Sequence, residues 1–171
     1  MTARCALGVA LAVSILAAAP AARAEDGCRS FAWSLGREKA WFAAGPATLG
    51  AGAPLPLGTA VEVALGPAAA VTWTSPPERA PKTPDTRGAV LPLAAVPTGV
   101  YQITLSAEAW IDVVQDGARL PSAGFSGRTD CPGLRKSVRF RLGSGPAVVQ
   151  LSGATVDRLA IAVAPVEEAG R

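Results

Sequence analysis

The sequence predicts an all-β sandwich of about eight strands with one short N-terminal helix. Two observations carry that prediction. Apolar and polar residues alternate at period two over short runs, as in residues 100–114, VYQITLSAEAWIDVV, and again over 137–142 and 158–163. Between the runs stand turns drawn from 18 Gly and 15 Pro, at the regular spacing that short antiparallel strands need.

Residues 1–24 read as a signal peptide. Arg4 gives a positive start, residues 7–19 an apolar stretch, and Ala22-Arg23-Ala24 a small-x-small cleavage site before Glu25. The apolar stretch is short and Ala-rich, and no later one approaches the roughly 20 residues a spanning helix needs. A periplasmic or secreted chain with no membrane span after cleavage is therefore expected, an uncleaved anchor being the alternative. A lipoprotein would need Cys directly after the cut, and Cys28 comes too late. Cleavage removes two of the 16 basic residues and none of the 13 acidic ones, leaving a net charge of about +1. So weak a field excludes nucleic acid as a general partner, although Arg135, Lys136, Arg139 and Arg141 form a local basic cluster. Cys5 leaves with the leader. Cys28 and Cys131 then remain, and an oxidising compartment favours their pairing. A redox-active pair would show CxxC spacing, which is absent.

Residues 25–58 are expected to be a helical segment and linker, and 59–171 the sandwich. In residues 27–44 a helix would align Trp33, Arg37 and Trp41, with Phe31, Leu35 and Phe42 beside them, although Gly36 lowers its propensity. Such a stripe fits packing on a sheet better than a ligand platform. Residues 45–58, rich in Ala, Gly, Pro and Leu, predict an irregular connection. Strands follow at 59–65 and 70–74. The prolines of residues 75–88 predict an exposed, polyproline-like loop, with a ligand for an SH3-type partner as the alternative. A strand at 89–93 and a turn at Pro97-Thr98-Gly99 lead into a hairpin over 100–114. There Tyr101, Ile103 and Leu105 oppose Gln102, Thr104 and Ser106, and Trp110, Asp112 and Val114 oppose Ile111, Val113 and Gln115. Gln115-Asp116-Gly117 supplies a further turn with residues that tolerate positive φ. A short strand at 118–120, a polar loop at 122–133 and strands at 137–142, 147–151 and 158–163 complete the chain. Val138, Phe140, Leu142, Leu159, Ile161 and Val163 are assigned inward.

Residues 99–164 combine a G-x-Y start, a strand ending in LS, a W-x-D strand, a DG turn, a strand closing on LGSG and a final LSGA. This rhythm resembles small secreted bacterial jelly-roll modules of the pre-peptidase C-terminal type and their carbohydrate-binding-like relatives. The resemblance implies a jelly-roll-like sandwich that binds or presents rather than catalyses, with Asp112 at a position where that family often has a carboxylate. The CRSFAWSL start with the W-x-D strand also resembles short secreted proteins labelled homogentisate 1,2-dioxygenase. That activity would need histidine ligands for a non-haem iron, and the chain has no His.

The lack of His also removes His-based triads and the usual general base near neutral pH. Hydrolysis would fall to carboxylate pairs, Glu108 with Asp112 or Asp112 with Asp116. A calcium site from Asp112, Asp116 and Asp130 lacks a D-x-D-x-D-G loop. Cross-strand pairing of Asp112 with Arg139 or Arg141 is the favoured reading of that carboxylate. The binding candidate is a patch of Trp110, Asp112, Gln102, Thr104 and Gln150, a ring beside hydrogen-bonding groups of the kind sugar sites use. Core packing of Trp110 is its rival. The expectation is a non-enzymatic module without cofactor or metal that binds a periplasmic protein or an envelope polysaccharide. The alternative is an enzyme or cofactor-dependent accessory such as an aromatic-ring dioxygenase.

Overall fold

The computed structural model describes residues 27–166, so the leader lies outside the described residues. A helix, α1 (Gly36–Ala43), precedes eleven strands: β1 (Ala47–Thr48), β2 (Ala60–Ala64), β3 (Gly66–Pro67), β4 (Arg87–Val96), β5 (Gly99–Leu105), β6 (Trp110–Gln115), β7 (Ala118–Arg119), β8 (Ser122–Gly127), β9 (Lys136–Leu142), β10 (Gly145–Ala154) and β11 (Arg158–Pro165). Eight of these strands have five or more residues, matching the number read from the alternation. They form a six-stranded sheet, β1-β2-β11-β5-β9-β8, facing a five-stranded one, β3-β4-β10-β6-β7. Setting aside the short β1 and β3, and taking β7 and β8 as two halves of one strand that changes sheets, the ladders run 1-8-3-6-5 and 2-7-4-5, strand 5 being shared between them. Apart from the β8 half of strand 5 added to the first sheet, that is the strand order of a jelly roll.

Period-two alternation gives each sheet one apolar face, and the two faces meet in a single core. Ile103, Leu105, Phe140, Ile161 and Val163 come from one sheet, and Leu93, Ile111, Val113, Val149 and Leu151 from the other. Each such side chain contributes about 1.5–3 kcal/mol by leaving water. The inward assignments in the last strands hold, since Val138, Phe140, Leu142, Leu159, Ile161 and Val163 are all buried. The turn after β6 is also as expected, with Asp116 at φ 52° and Gly117 at φ 75° closing the β6–β7 hairpin.

Residues 100–114 are not a hairpin. β5 pairs with β9 and β11, whereas β6 pairs with β10 and β7, so residues 106–109 carry the chain from one sheet to the other. Ser106-Ala107-Glu108-Ala109 has no residue at positive φ of the kind a tight two-residue hairpin turn needs. Two further strand assignments change. Residues 70–74 form no strand: Ala70 ends a 3-10 turn, and the amide of buried Gln150 satisfies the Thr74 and Ser75 N–H groups that a ladder would have used. Trp73 lies against β4, where a Cβ on Gly88 would stand 2.5 Å from its ring. Conversely, residues 122–127 pair with β9 as an edge strand, with a register shift between Ser122 and Gly124 that suits the small residues there.

The N-terminal helix is shorter than its pattern suggests. Residues 27–29 are helical, residues 30–35 are not, and Gly36 opens α1 rather than interrupting it. The break lets Ala32 N–H donate to Ser126 Oγ and Trp33 Nε1 donate to Ser137 Oγ. It also seats Phe31 and Leu35 with Cys131 and Leu134 in a second, smaller core. The Cys28–Cys131 disulfide closes over that core. Trp33 and Trp41 therefore part company, with Arg139 over the first ring at 4.0 Å and Arg37 over the second at 5.0 Å.

One buried carboxylate docks α1 on the outer face of the six-stranded sheet. Glu38 Oε1 accepts from Gln102 Nε2 at 2.7 Å and from Arg37 at 2.8 Å. Burial draws the Arg139 guanidinium below its ordinary pKa, and the nearby Glu38 charge opposes that shift. Glu38→Ala is expected to cost about 2 kcal/mol, because it takes the acceptor from the buried Gln102 amide and removes one of the acceptors of Arg37, which keeps Pro165 O. Urea unfolding of the variant beside the parent checks this.

Candidate functional site

The jelly-roll crossing places the five predicted binding residues on two separate surfaces. Gln102 and Thr104, on β5, face outward from the six-stranded sheet under the N-terminal segment. Gln102 bonds Glu38, and Thr104 Oγ1 bonds Ser137 Oγ at 2.9 Å. Trp110, Asp112 and Gln150 lie together on the outer face of the five-stranded sheet, with Asp112 and Gln150 directly opposite in register. A ligand touching one group cannot touch the other.

Asp112 and Gln150 are occupied by the chain itself. Residues 75–88, expected to be an exposed loop, are exposed and irregular over 78–85 as expected, but they begin as a strap folded across this face. Gln150 Oε1 accepts from Thr74 N–H at 2.7 Å and Ser75 N–H at 3.1 Å, while its Nε2 donates to Ser75 O at 2.9 Å. Asp112, 2% exposed, accepts from Glu78 N–H at 3.1 Å and from Trp110 Nε1 at 3.0 Å. Its charge is balanced by Arg119 Nε at 3.5 Å, an ion pair without hydrogen-bond geometry. Arg119 also donates to Ser75 Oγ and Pro76 O. The expected pairing with Arg139 or Arg141 does not occur, since both lie on β9 in the opposite sheet.

The two edges of the sandwich are finished differently, and the difference makes a cleft. At one edge the linker closes the gap, with Leu55 bridging to β4 and Leu57 to β11. At the other, β7 is two residues long and then crosses over, so β8 extends beyond the five-stranded sheet. Phe125 on β8 is left exposed there, while Lys136 at the start of β9 is buried. The result is a cleft of about 740 Å³ between that sheet edge, β6 and strap residues 78–83, within the range of small-ligand sites. Phe125, 61% exposed, forms its outer wall and Trp110 its inner wall.

Lys136 sits between the two rings, its Nζ 5.7 Å from the Trp110 centroid and 5.6 Å from that of Phe125. It occupies an inward position at the start of β9 and is almost wholly buried. Its ammonium donates to Glu108 Oε1 and to Ala109 O, both at 2.8 Å. Arg135 holds the other oxygen of Glu108 at 2.5 Å. Arg79, from the strap, covers the Trp110 ring at 4.4 Å. Chemically this is a partly apolar trough with charged hydrogen-bonding groups on its floor. Asp112 and Glu108 are both ion-paired, and a third carboxylate, Glu78 of the strap, lines the cleft at an exposed position. Among the described residues no three His, Cys, Asp or Glu side chains gather as metal ligands would, and no helix is long and apolar enough to cross a membrane.

Of the predicted patch, Trp110 and Asp112 both line the cleft, whereas Phe125, Arg79 and Lys136 were not part of it. Phe125 stood out as a lone aromatic in a Ser/Gly-rich stretch, a signal that could have marked it. The basic cluster dissolves on folding. Arg135 and Lys136 belong to the cleft, while Arg139 turns to the far face of the sheet over Trp33. Comparisons with protein-family models, with curated proteins and with solved structures found no match to this chain.

Proposed function

We propose that this protein is a non-enzymatic periplasmic or secreted binding module that holds an envelope saccharide in the cleft beside Phe125. The observation that carries this reading is the exposed Phe125 ring, set across a small-ligand-sized trough from Trp110 and above the Glu108, Arg135 and Lys136 cluster. Sugars present an apolar C–H face that lies on a ring and hydroxyls that take paired hydrogen bonds, and the cleft offers both. The commitment of Asp112 to the strap and of Glu108 to two cations favours binding over hydrolysis. The jelly-roll strand order agrees with a module that binds or presents, the role implied by the resemblance to secreted pre-peptidase C-terminal modules.

Calorimetry of the purified chain with envelope oligosaccharides tests the reading. Phe125→Ala is expected to weaken binding about tenfold, which corresponds to about 1.4 kcal/mol, while leaving the thermal midpoint nearly unchanged because the ring is mostly solvated. Saccharide binding that ignores this substitution would place the site elsewhere. Binding by an envelope protein with no response to any saccharide would replace the proposal with a protein-docking role.

A further inference from the structure

The donors left over in the cleft point to the charge of its ligand. Three of them surround Trp110. The Arg79 guanidinium lies over the ring and has no carboxylate partner among the described residues. Lys136 has three N–H donors and spends two, on Glu108 and on Ala109 O. Ser152, the cross-strand neighbour of Trp110, is 4% exposed, lines the cleft, and its Oγ has no hydrogen-bond partner among the described residues. Cross-strand neighbours project from the same face of a sheet, so this hydroxyl stands beside the indole.

Charge points the same way. Glu108 is shared by two cations, Arg135 and Lys136. Asp112 is balanced by Arg119. Lys82 lines the cleft and, like Arg79, has no carboxylate partner among the described residues. Glu78 of the strap is a third carboxylate in the lining; set against Glu78, Glu108 and Asp112, the cations Arg79, Lys82, Arg135 and Lys136, with Arg119 paired to Asp112, still leave the trough an excess of positive charge. Glu108 also shows which anion the floor can grip. Arg135 takes one of its oxygens at 2.5 Å and Lys136 the other at 2.8 Å, a two-oxygen hold on a planar carboxylate.

We infer that the ligand is an acidic saccharide whose sugar rings carry carboxylates. This inference rests on the saccharide reading above. A sugar ring lies on Phe125, and its carboxylate reaches the donors around Trp110, namely Arg79, the third N–H of Lys136 and the Ser152 hydroxyl. The guanidinium fork is suited to a planar carboxylate. A neutral sugar would leave these donors without an anion.

The test is calorimetry of the full chain, at low and at physiological salt, with short oligomers of galacturonate and of mannuronate, each beside its methyl ester. The ester keeps the backbone and removes the charge. At least one acidic oligomer is expected to bind tenfold or more tightly than its ester, with the preference shrinking as salt rises. Arg79→Gln, a change at an exposed side chain, is expected to cut that ratio severalfold with no change in thermal midpoint. Equal binding of acid and ester, or a ratio that Arg79→Gln leaves intact, would overturn the acidic ligand while sparing the saccharide reading. Tighter binding of neutral oligomers would do the same. No binding of acidic, esterified or neutral oligomers would overturn both.

Discussion

Replacing Cys28 and Cys131 together by serine is expected to lower the unfolding free energy by about 4–5 kcal/mol, the loop-closure value for a link across about 100 residues. The bridge spans 103 positions and ties the N-terminal segment to the loop after β8. The loss should also be local. Phe31 and Leu35 rest on Cys131 and Leu134 in a small core with few other members, so without the bridge that core has little to hold it. Trp33 and α1 would then lift from the outer face of the six-stranded sheet, and Gln102, Thr104 and Ser137 would meet water. Urea unfolding gives the magnitude. Hydrogen exchange over residues 27–43 gives the place. A double variant as stable as the oxidised parent, with that segment still protected, would show that Glu38 and the aromatic contacts suffice without the disulfide.

Asp112→Ala is expected to cost about 3 kcal/mol and to free the strap. The substitution leaves Arg119 without its balancing charge on a partly buried site, and takes the acceptor from Glu78 N–H and from the Trp110 indole. Asp112→Asn keeps an oxygen in place and should cost less, about 1–2 kcal/mol. The two changes therefore separate the acceptor from the charge. Chemical denaturation measures the stabilities, and limited proteolysis reads the strap, where new cleavage within residues 75–86 is expected for the alanine variant. Because Arg79 is carried by the strap, its release should also uncover the Trp110 ring and raise that residue's accessibility to quenchers. An alanine variant with parental stability and an intact strap would mean that Gln150, which holds Thr74 and Ser75, anchors the segment alone.

Much of the fold could be read from the chain because alternation reports which side chains share a face. The inward sets of β9 and β11 are explicit in SVRFRL and RLAIAV, and Asp116-Gly117 announces the β6–β7 turn, where both residues stand at positive φ. Alternation does not report which sheet a strand joins. β5 and β6 each look like half of a hairpin, yet their apolar faces meet across the core rather than side by side, and that put Gln102 and Thr104 on a different surface from Trp110 and Asp112. The strap was hidden for a related reason. Its prolines do exclude a strand, but the groups that hold it, Gln150 and Asp112, lie 75 and 34 positions away from the backbone N–H groups they accept. The cleft was hidden too, since the exposure of Phe125 follows from the brevity of β7, a property of its neighbour and not of its own stretch. What the sequence did locate is Trp110, which is neither a core ring nor a free platform but the inner wall of the trough.

The saccharide cleft is tested most directly by mapping amide and indole NMR shifts of the full chain during titration with the acidic oligomer that binds best. Shifts confined to strap residues 78–83, the Trp110 indole, Phe125, Ser152 and the Arg135–Lys136 backbone are predicted, with Gln102, Thr104 and the Trp33 indole unmoved. Shifts centred on the N-terminal segment and the outer face of the six-stranded sheet, with Trp110 and Phe125 silent, would contradict it.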